Sequence, residues 1–295
     1  MTSHHDRFIP RVSSLSALLG LLGCLTALPA AATPYIFNTG NVDGRMATGS
    51  RPNNAGKIEI ESADDFLVPS LTRINSATFT GLITSTGSGA PTLGNVRVEI
   101  YRVFPKDSSN PPSGKVPTRV NSPSDVALSE RAAGAGELSF STSVLNSNFT
   151  ALNSVLNGIN PIPNQRTGGE GAVTGQEVLF NIAFTTPIDL PADHYFFVPQ
   201  VEVSGGEFLW LSSVRPIVAP GTSFAPDLQS WIRDENLAPD WLRIGTDIVG
   251  GSPAPTFNAA FSLNGSTIPE PGTLALLGLG FAGLVAVSRG QRRMK

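Results

Sequence analysis

The sequence has few of the side chains that carry covalent chemistry. It contains one cysteine, Cys24, and three histidines. Cys24, His4 and His5 precede residue 33, where we place the start of the mature chain below, so His194 is the one imidazole after that point. The composition of the mature chain therefore excludes a disulfide, a cysteine nucleophile and any metal site built from thiolates or several histidines.

Basic residues are also scarce in the central part of the chain. Residues 33–267 contain 14 Lys and Arg against 21 Asp and Glu, a net charge of about −7. Such a surface repels polyanions, so we expect neither nucleic acid nor an anionic lipid surface as a partner of this region. Its length fits one domain with a substantial core, or two small ones.

The N-terminal segment 1–32 has the three parts of a secretory signal peptide. A positive part with two arginines comes first, and an apolar part over residues 15–28 follows it. The small side chains that a signal peptidase requires come last, at Ala30 and Ala32. We therefore expect export through the Sec translocon, cleavage by signal peptidase, and a mature chain that begins at Thr33.

A second interpretation of this segment stays open. Leu21-Leu22-Gly23-Cys24 resembles the lipobox of bacterial lipoproteins, which would place a lipid on Cys24. The apolar part continues beyond Cys24 to the alanine-rich site, as in an ordinary signal peptide. This continuation favours cleavage after Ala32.

The C-terminus again combines an apolar run with positive charge. The 18 uncharged residues that follow Glu270 would span about 27 Å as a helix, close to the roughly 30 Å of a bilayer core. We predict a transmembrane helix over 272–288 and a basic stop-transfer tail over 289–295. The flanking residues are Pro269, Glu270 and Pro271 before the run, and Arg289, Arg292 and Arg293 after it.

A buried core helix is the alternative for this run, with Gly278, Gly280 and Gly283 as packing positions. The run has no polar face and ends directly in charged residues, which favours a membrane helix. The positive-inside rule places both basic termini on the cytoplasmic side and the residues between them outside.

The order of Pro-Glu-Pro step, short apolar helix and arginine-rich tip resembles the PEP-CTERM sorting signal of Gram-negative bacteria. The resemblance covers about residues 268–293, with Ile268 where Val is usual. It implies an exosortase, a membrane-embedded thiol transpeptidase, as a partner that cuts near the step, and it implies an association with exopolysaccharide. The two prolines are consistent with this role, because they keep the step extended and accessible to a protease.

The middle of the chain has the pattern of an all-β protein. Long helical periodicity is missing, and short alternating runs of β-branched and aromatic residues lie between Gly, Pro, Asn and Ser. In NVRVEIYRVF (95–104), Val96, Val98 and Ile100 alternate with polar residues, which predicts one buried and one solvent-exposed face. We predict a β-sandwich over 57–264, with jelly-roll-like topology.

Seven strands and one short helix are the elements that we predict in this domain. The helix covers 226–234, where Leu228, Trp231 and Ile232 would share a face. The strands cover 65–68, 73–82, 95–104, 178–184, 195–203, 208–212 and 257–263.

Four further segments are predicted outside these elements. Residues 33–56 form an exposed N-terminal segment, and 265–295 form the sorting signal with its helix. The polar stretches 105–125 and 157–176 are long for a compact domain and are predicted as binding loops or mobile edges.

Two interpretations of the three tryptophans stay open. Trp210, Trp231 and Trp241, with Tyr195, would form a stacking platform for a glycan if their rings are exposed. The apolar neighbours of Trp210 in FLWLSS, and Ile232 beside Trp231, favour a place in the core instead.

The acidic residues do not form a dense metal-binding loop. Asp64 with Asp65, or Asp189 with Asp193, would offer oxygens to calcium, but calcium needs six to eight ligands that converge from several loops. Turn capping and solvated carboxylates are the simpler interpretation, and we predict no metal and no cofactor.

Catalytic interpretations are equally weak. Glu170 and Glu177 would serve as the carboxylates of a glycosidase if the fold brings them together. His194 follows Asp193 and lacks a GxSxG nucleophile motif, so we expect it to make a hydrogen bond at a strand edge.

The sequence thus predicts a non-enzymatic exported protein. We expect a precursor anchored in the inner membrane, and then a location in the cell envelope or outside the cell, in association with exopolysaccharide or biofilm. A carbohydrate-binding module is the alternative, and a secreted hydrolase is a weaker one.

Overall fold

The computed structural model describes residues 31–54, 56–87, 89–108, 111, 113–159, 165–214, 227–269 and 280. Strands form nearly all the regular structure of these residues, and a short π-helical turn covers Ile244–Val249. The strands are β1 (Pro34–Asn38), β2 (Val42–Gly49), β3 (Ile60–Val68), β4 (Thr72–Ser85), β5 (Thr92–Arg102), β6 (Ser129–Ala132), β7 (Leu138–Ala151), β8 (Ser154–Val155), β9 (Val173–Leu190), β10 (Asp193–Ser204), β11 (Gly206–Ser213), β12 (Trp231–Asp234), β13 (Leu242–Arg243) and β14 (Phe261–Thr267).

The strands form two sheets. In the eight-stranded sheet, β9 pairs along one side of β4 and β7 lies beyond β9. The other side of β4 is shared by β14, which continues to β1, and by β11, which continues to β2 and β8. The six-stranded sheet has the order β13-β12-β3-β10-β5-β6. Every pair is antiparallel except β2 with β8.

Four of the strand pairs are nested along the chain. β5 pairs with β6, β4 with β9, β3 with β10, and β2 with β11. Within each half of this series, consecutive members alternate between the two sheets. The chain therefore follows a long antiparallel hairpin whose arms alternate between the two sheets of a β-sandwich.

Aromatic side chains from both sheets fill the space between them. Phe79 of β4 stacks on Phe180 of β9 at 4.8 Å between ring centroids and lies 6.4 Å from Phe197 of the opposite sheet. Phe197 in turn stacks on Phe261 of β14 at 5.1 Å. Phe79 and Phe180 lie on strands whose buried residues largely alternate with more exposed ones, so the period-2 pattern of the sequence explains β4, β9 and their part of the core.

The outer face of the six-stranded sheet is also buried. The prediction that one face of NVRVEIYRVF (95–104) is exposed to solvent is therefore wrong. Tyr101 of β5 and Phe196 of β10 point outward and pack against Trp231 and Trp241. Glu99 lies on the face of β5 that is predicted to be exposed to solvent, and it is buried as well. The polar loop before β6 and the segment around β12 provide this cover, which the alternation of a single strand does not reveal.

All seven predicted strands overlap observed strands, namely β3, β4, β5, β9, β10, β11 and β14. The predicted helix over 226–234 is wrong within its described residues, 227–234. Trp231 to Asp234 form β12, paired with Ala63 to Ile60 of β3. Trp231 and Ile232 pack into two different clusters, as expected for successive residues of a strand.

The prediction of an exposed segment over 33–56 is also wrong. β1 and β2 lie in this segment and belong to the eight-stranded sheet, where Tyr35, Phe37 and Met46 are buried. Polar residues between the two strands interrupt the alternation and conceal it. The compact unit of the structure spans Thr33–Ile268.

The long polar segments are held by specific contacts in their described parts. Arg119, Ser122 and Ser124 of the 105–125 segment are buried, and Val103 pairs with Pro123. In the 157–176 segment, Ile159 is buried and β9 has begun by Val173. Residues 160–164 lie outside the described residues.

Candidate functional site

The sandwich continues three residues beyond the predicted boundary at 264/265, because β14 includes the first residues assigned to the sorting signal. β14 finishes at Thr267, and the N–H of Ile268 donates to the carbonyl oxygen of Leu71 at 2.8 Å. The N–H of Thr267 donates to the carbonyl oxygen of Thr33 at 2.8 Å, and the N–H of Thr33 donates to Oγ1 of Thr267 at 2.8 Å. The first residue of the predicted mature chain and the last residue of β14 are therefore direct neighbours.

A family comparison matches residues 267–293 to the PEP-CTERM protein-sorting motif. The chain carries a PEP-CTERM sorting motif at its C-terminus. The match agrees within one residue with the resemblance drawn from the Pro-Glu-Pro step, and it supports a precursor that is exported and sorted to the cell envelope through an exosortase. No curated protein and no solved structure matches the chain.

The PEP-CTERM motif starts on the last residue of β14, so it overlaps the compact unit at Thr267 and Ile268. Pro269 and Ala32 are the described members of the predicted processing residues. The others lie outside the described residues: Ala30, Glu270, Pro271, Arg289, Arg292 and Arg293. Among the described residues, no helix is long and apolar enough to cross a membrane. The predicted helix over 272–288 lies outside them except for Gly280.

The tryptophans are not a glycan platform. Trp210, Trp231 and Trp241 have exposed fractions of 1%, 1% and 0%. Their indole N–H groups donate to backbone carbonyl oxygens of Ala260, Leu228 and Ser124, in that order, at 2.9–3.2 Å. Rings that are buried on both faces cannot stack on a sugar, so the core interpretation applies to all three.

His194 and the neighbouring aspartates tie loops to the sandwich. Nε2 of His194 lies 2.7 Å from Oδ2 of Asp65, and the other oxygen of Asp65 accepts the N–H of Leu228 at 3.1 Å. Asp64 accepts the hydroxyl of Ser230 at 3.0 Å and the N–H of Ala259 at 2.9 Å. Both carboxylates therefore hold segments that cross the sheet. The adjacent aspartates in the sequence do not reveal this structural role.

A buried polar cluster on the outer face of the six-stranded sheet escaped the sequence analysis. It consists of Glu61 of β3, Glu99 and Tyr101 of β5, and Arg233 of β12. The hydroxyl of Tyr101 donates to Oε1 of Glu61 at 2.6 Å, and Nη2 of Arg233 donates to the same oxygen at 3.0 Å. Nε of Arg233 bonds the second oxygen of Glu61. Glu61 and Arg233 are 172 positions apart, so no local spacing points to the cluster.

Burial and the nearby carboxylate of Glu61 raise the pKa of Glu99 to about 9. Two close carboxyl groups, one of which keeps its proton at neutral pH, also occur at catalytic sites. Here every member of the cluster is buried, and no described cavity is lined by any of them. The arrangement accounts for the stability of the layer around Trp241, whose ring lies 4.3 Å from the guanidinium carbon of Arg233.

Glu170 and Glu177 do not act as a pair. The carboxylate of Glu170 accepts backbone N–H groups of Leu156, Asn157 and Gly158 at 2.5–2.8 Å. Burial alone would raise its pKa, but these hydrogen bonds outweigh burial and hold the pKa of Glu170 below its ordinary value. Glu170 thus fixes the loop that it belongs to. Glu177 instead lines a groove on the outer face of the eight-stranded sheet.

The acidic residues proposed for calcium have other contacts. Asp189 forms a bidentate pair with Arg73, with both distances 2.7 Å, and Asp193 pairs with Lys106. Within the part of the chain that the structure describes, no group of three or more His, Cys, Asp or Glu is placed to hold a metal ion.

Proposed function

We propose that this protein is a non-enzymatic jelly-roll domain that is exported, cut near its Pro-Glu-Pro step by an exosortase-type transpeptidase, and retained in the cell envelope or the extracellular matrix with exopolysaccharide. The observation that carries the proposal is the position of the PEP-CTERM motif. It begins at residue 267, where the last strand of the domain ends. A cut at the step therefore leaves every strand of the sandwich intact.

Several features support a role without catalysis. The mature chain has no cysteine, and its one histidine is engaged with Asp65. The carboxyl pair with a perturbed pKa, Glu61 and Glu99, is enclosed by the layer that covers the sheet. A substrate would have to displace that layer to reach it.

The proposal is tested by replacing Pro269, Glu270 and Pro271 with alanine in a strain that contains an exosortase. The wild-type protein is expected to lose its C-terminal helix, and the variant is expected to stay at full length after signal removal in the inner membrane. Intact mass of the protein from the membrane, the envelope and the culture medium identifies both processed ends. Pro91→Ala is a matched control, because Pro91 lies in the loop before β5 and should not affect processing.

Processing and release of the triple-alanine variant at the wild-type rate would contradict the proposal. So would loss of the tail from the wild-type protein in a strain without exosortase.

A further inference from the structure

The outer face of the eight-stranded sheet is covered by hydroxyl and amide groups. Pairing across five strands aligns side chains in rows on this face. Three successive rows contain no charged side chain, and their members are half-buried or exposed. The polar members are Asn264, Ser76 and Ser139 in the first row, Asn38, Ser262, Thr78, Asn181 and Ser141 in the second, and Thr80 and Ser143 in the third.

A groove of about 330 Å³ lies on this face. Asn38, Thr78, Thr80 and Ser262 supply polar groups to its wall, and the apolar side chains of Leu145 and Leu179 lie beside them. The hydroxyls of Thr78 and Ser262 are 2.7 Å apart, and each retains the capacity for a further hydrogen bond. The volume is within the range of small-ligand sites.

Glu177 lines the groove, and its carboxylate oxygens are open to the groove. Its exposed fraction is 8%, and no described residue donates a hydrogen bond to it or forms an ion pair with it. Burial raises its pKa above the ordinary value of a glutamate. A carboxylate that is open to the groove and has no donor among the described residues can accept hydrogen bonds from a ligand.

We propose that this groove binds a neutral glycan. Sugar hydroxyls donate to the carboxylate of Glu177 and exchange hydrogen bonds with Thr78, Thr80 and Ser262, while Leu145 and Leu179 contact the apolar faces of sugar rings. An anionic glycan is disfavoured, because the groove contains a carboxylate and the described residues that line it include no cation. The inference supplies a ligand class for the proposed association with exopolysaccharide and rests on that proposal for its biological setting.

The experiment measures retardation of the exported protein in native gels that contain dextran, xyloglucan or mixed-linkage β-glucan, with alginate as the anionic probe. Glu177→Gln and Thr78→Val are expected to raise the dissociation constant for a bound neutral glycan about tenfold or more. Glu235→Gln and Thr174→Val are the matched controls. Thr174 shares a cross-strand hydroxyl pair with Thr150 at 2.7 Å outside the groove, so it imitates the Thr78 pair. Both controls should stay within twofold of the wild-type protein.

The unfolding midpoint of each variant separates a binding effect from a folding effect. Glu177→Gln removes a buried charge, so it is expected to keep or raise stability while it weakens binding. The inference is wrong if no neutral glycan retards the wild-type protein, if alginate alone does so, or if the groove variants bind as tightly as the controls. Normal removal of the tail with no glycan binding would leave the sorting proposal intact and reject the groove.

Discussion

The N–H of Thr33 donates to the side-chain hydroxyl of Thr267, and the N–H of Thr267 donates to the carbonyl oxygen of Thr33, although the two residues are 234 positions apart. The contact opens an antiparallel ladder that runs from Pro34 opposite Ser266 to Asn38 opposite Ser262. The domain is therefore closed by its own two ends, and the predicted signal peptidase site and the PEP-CTERM motif both adjoin this closure.

Removing residues 269–295 is expected to change the free energy of unfolding by no more than about 0.5 kcal/mol. The reason is that the final backbone hydrogen bond of the described ladder belongs to Ile268. Urea unfolding of the exported chain with and without the tail measures the difference. A longer deletion that begins at residue 261 should abolish cooperative unfolding, because it also removes Phe261 from its stack on Phe197 and its contact with Phe37. A loss of more than about 2 kcal/mol on removing the tail alone would show that the fold extends beyond residue 268.

The stability of the protein should fall as the pH rises from 5 to 9, in part because of Glu99. Its pKa in the folded protein is about 9, against about 4.3 in an unfolded chain. The folded state holds this proton more tightly, so the stabilising contribution is complete below about pH 4 and is lost as the pH rises through 9. Glu99→Gln keeps a polar donor 3.2 Å from the hydroxyl oxygen of Tyr101 but cannot titrate, so it should reduce the fall, as measured by urea unfolding at pH 5, 7 and 9.

Glu130→Gln is the control for this experiment, because Glu130 sits on the neighbouring strand, pairs with Arg97 and is about half exposed. Its pH profile should follow the wild-type profile. Equal slopes in Glu99→Gln and the wild-type protein would contradict the assignment of a buried, protonated carboxyl to Glu99.

Arg233→Met is expected to lower the free energy of unfolding by about 3–5 kcal/mol, because it leaves the carboxylate of Glu61 buried without its cation. Arg73→Met removes an equally well-formed pair with Asp189, but that pair is about half exposed, and the expected loss is about 0–1 kcal/mol. Urea unfolding of the two variants at one pH gives the comparison. Similar losses for the two would show that burial of the Glu61 cluster contributes little.

The sequence predicts the strands that have a clear pattern of apolar residues. It misses the strands that form because a neighbouring strand pairs with them. β4 alternates apolar and polar residues, and β10 contains a continuous apolar run bounded by polar residues, so the sequence predicts most of both strands. β7 is rich in Ser, Thr and Asn and has little apolar alternation, yet its backbone pairs with β9 along most of its length. β12 was interpreted as helical because Leu228, Trp231 and Ile232 have helical spacing, and pairing with β3 overrides that local preference.

The candidate sites also differ in whether the sequence alone predicts them. The PEP-CTERM motif is contiguous, so its order of residue types is readable without a fold. The contact of Glu61 with Arg233 depends on the register of β3 against β12, and the groove at Glu177 depends on rows that cross five strands. Such juxtapositions arise from register, which the periodicity of one strand cannot fix.

The pairing of β1 with β14 also determines when during synthesis the eight-stranded sheet can be completed. β1 follows directly on the predicted cut after Ala32, and its sheet partner is the last strand to be made. At 5–20 residues per second, the ribosome needs roughly 10–50 s to add the 234 residues from Pro34 to Thr267. Throughout that interval β1 lacks its sheet partner, so the predicted cleavage site beside it is free of the contact between Thr33 and Thr267.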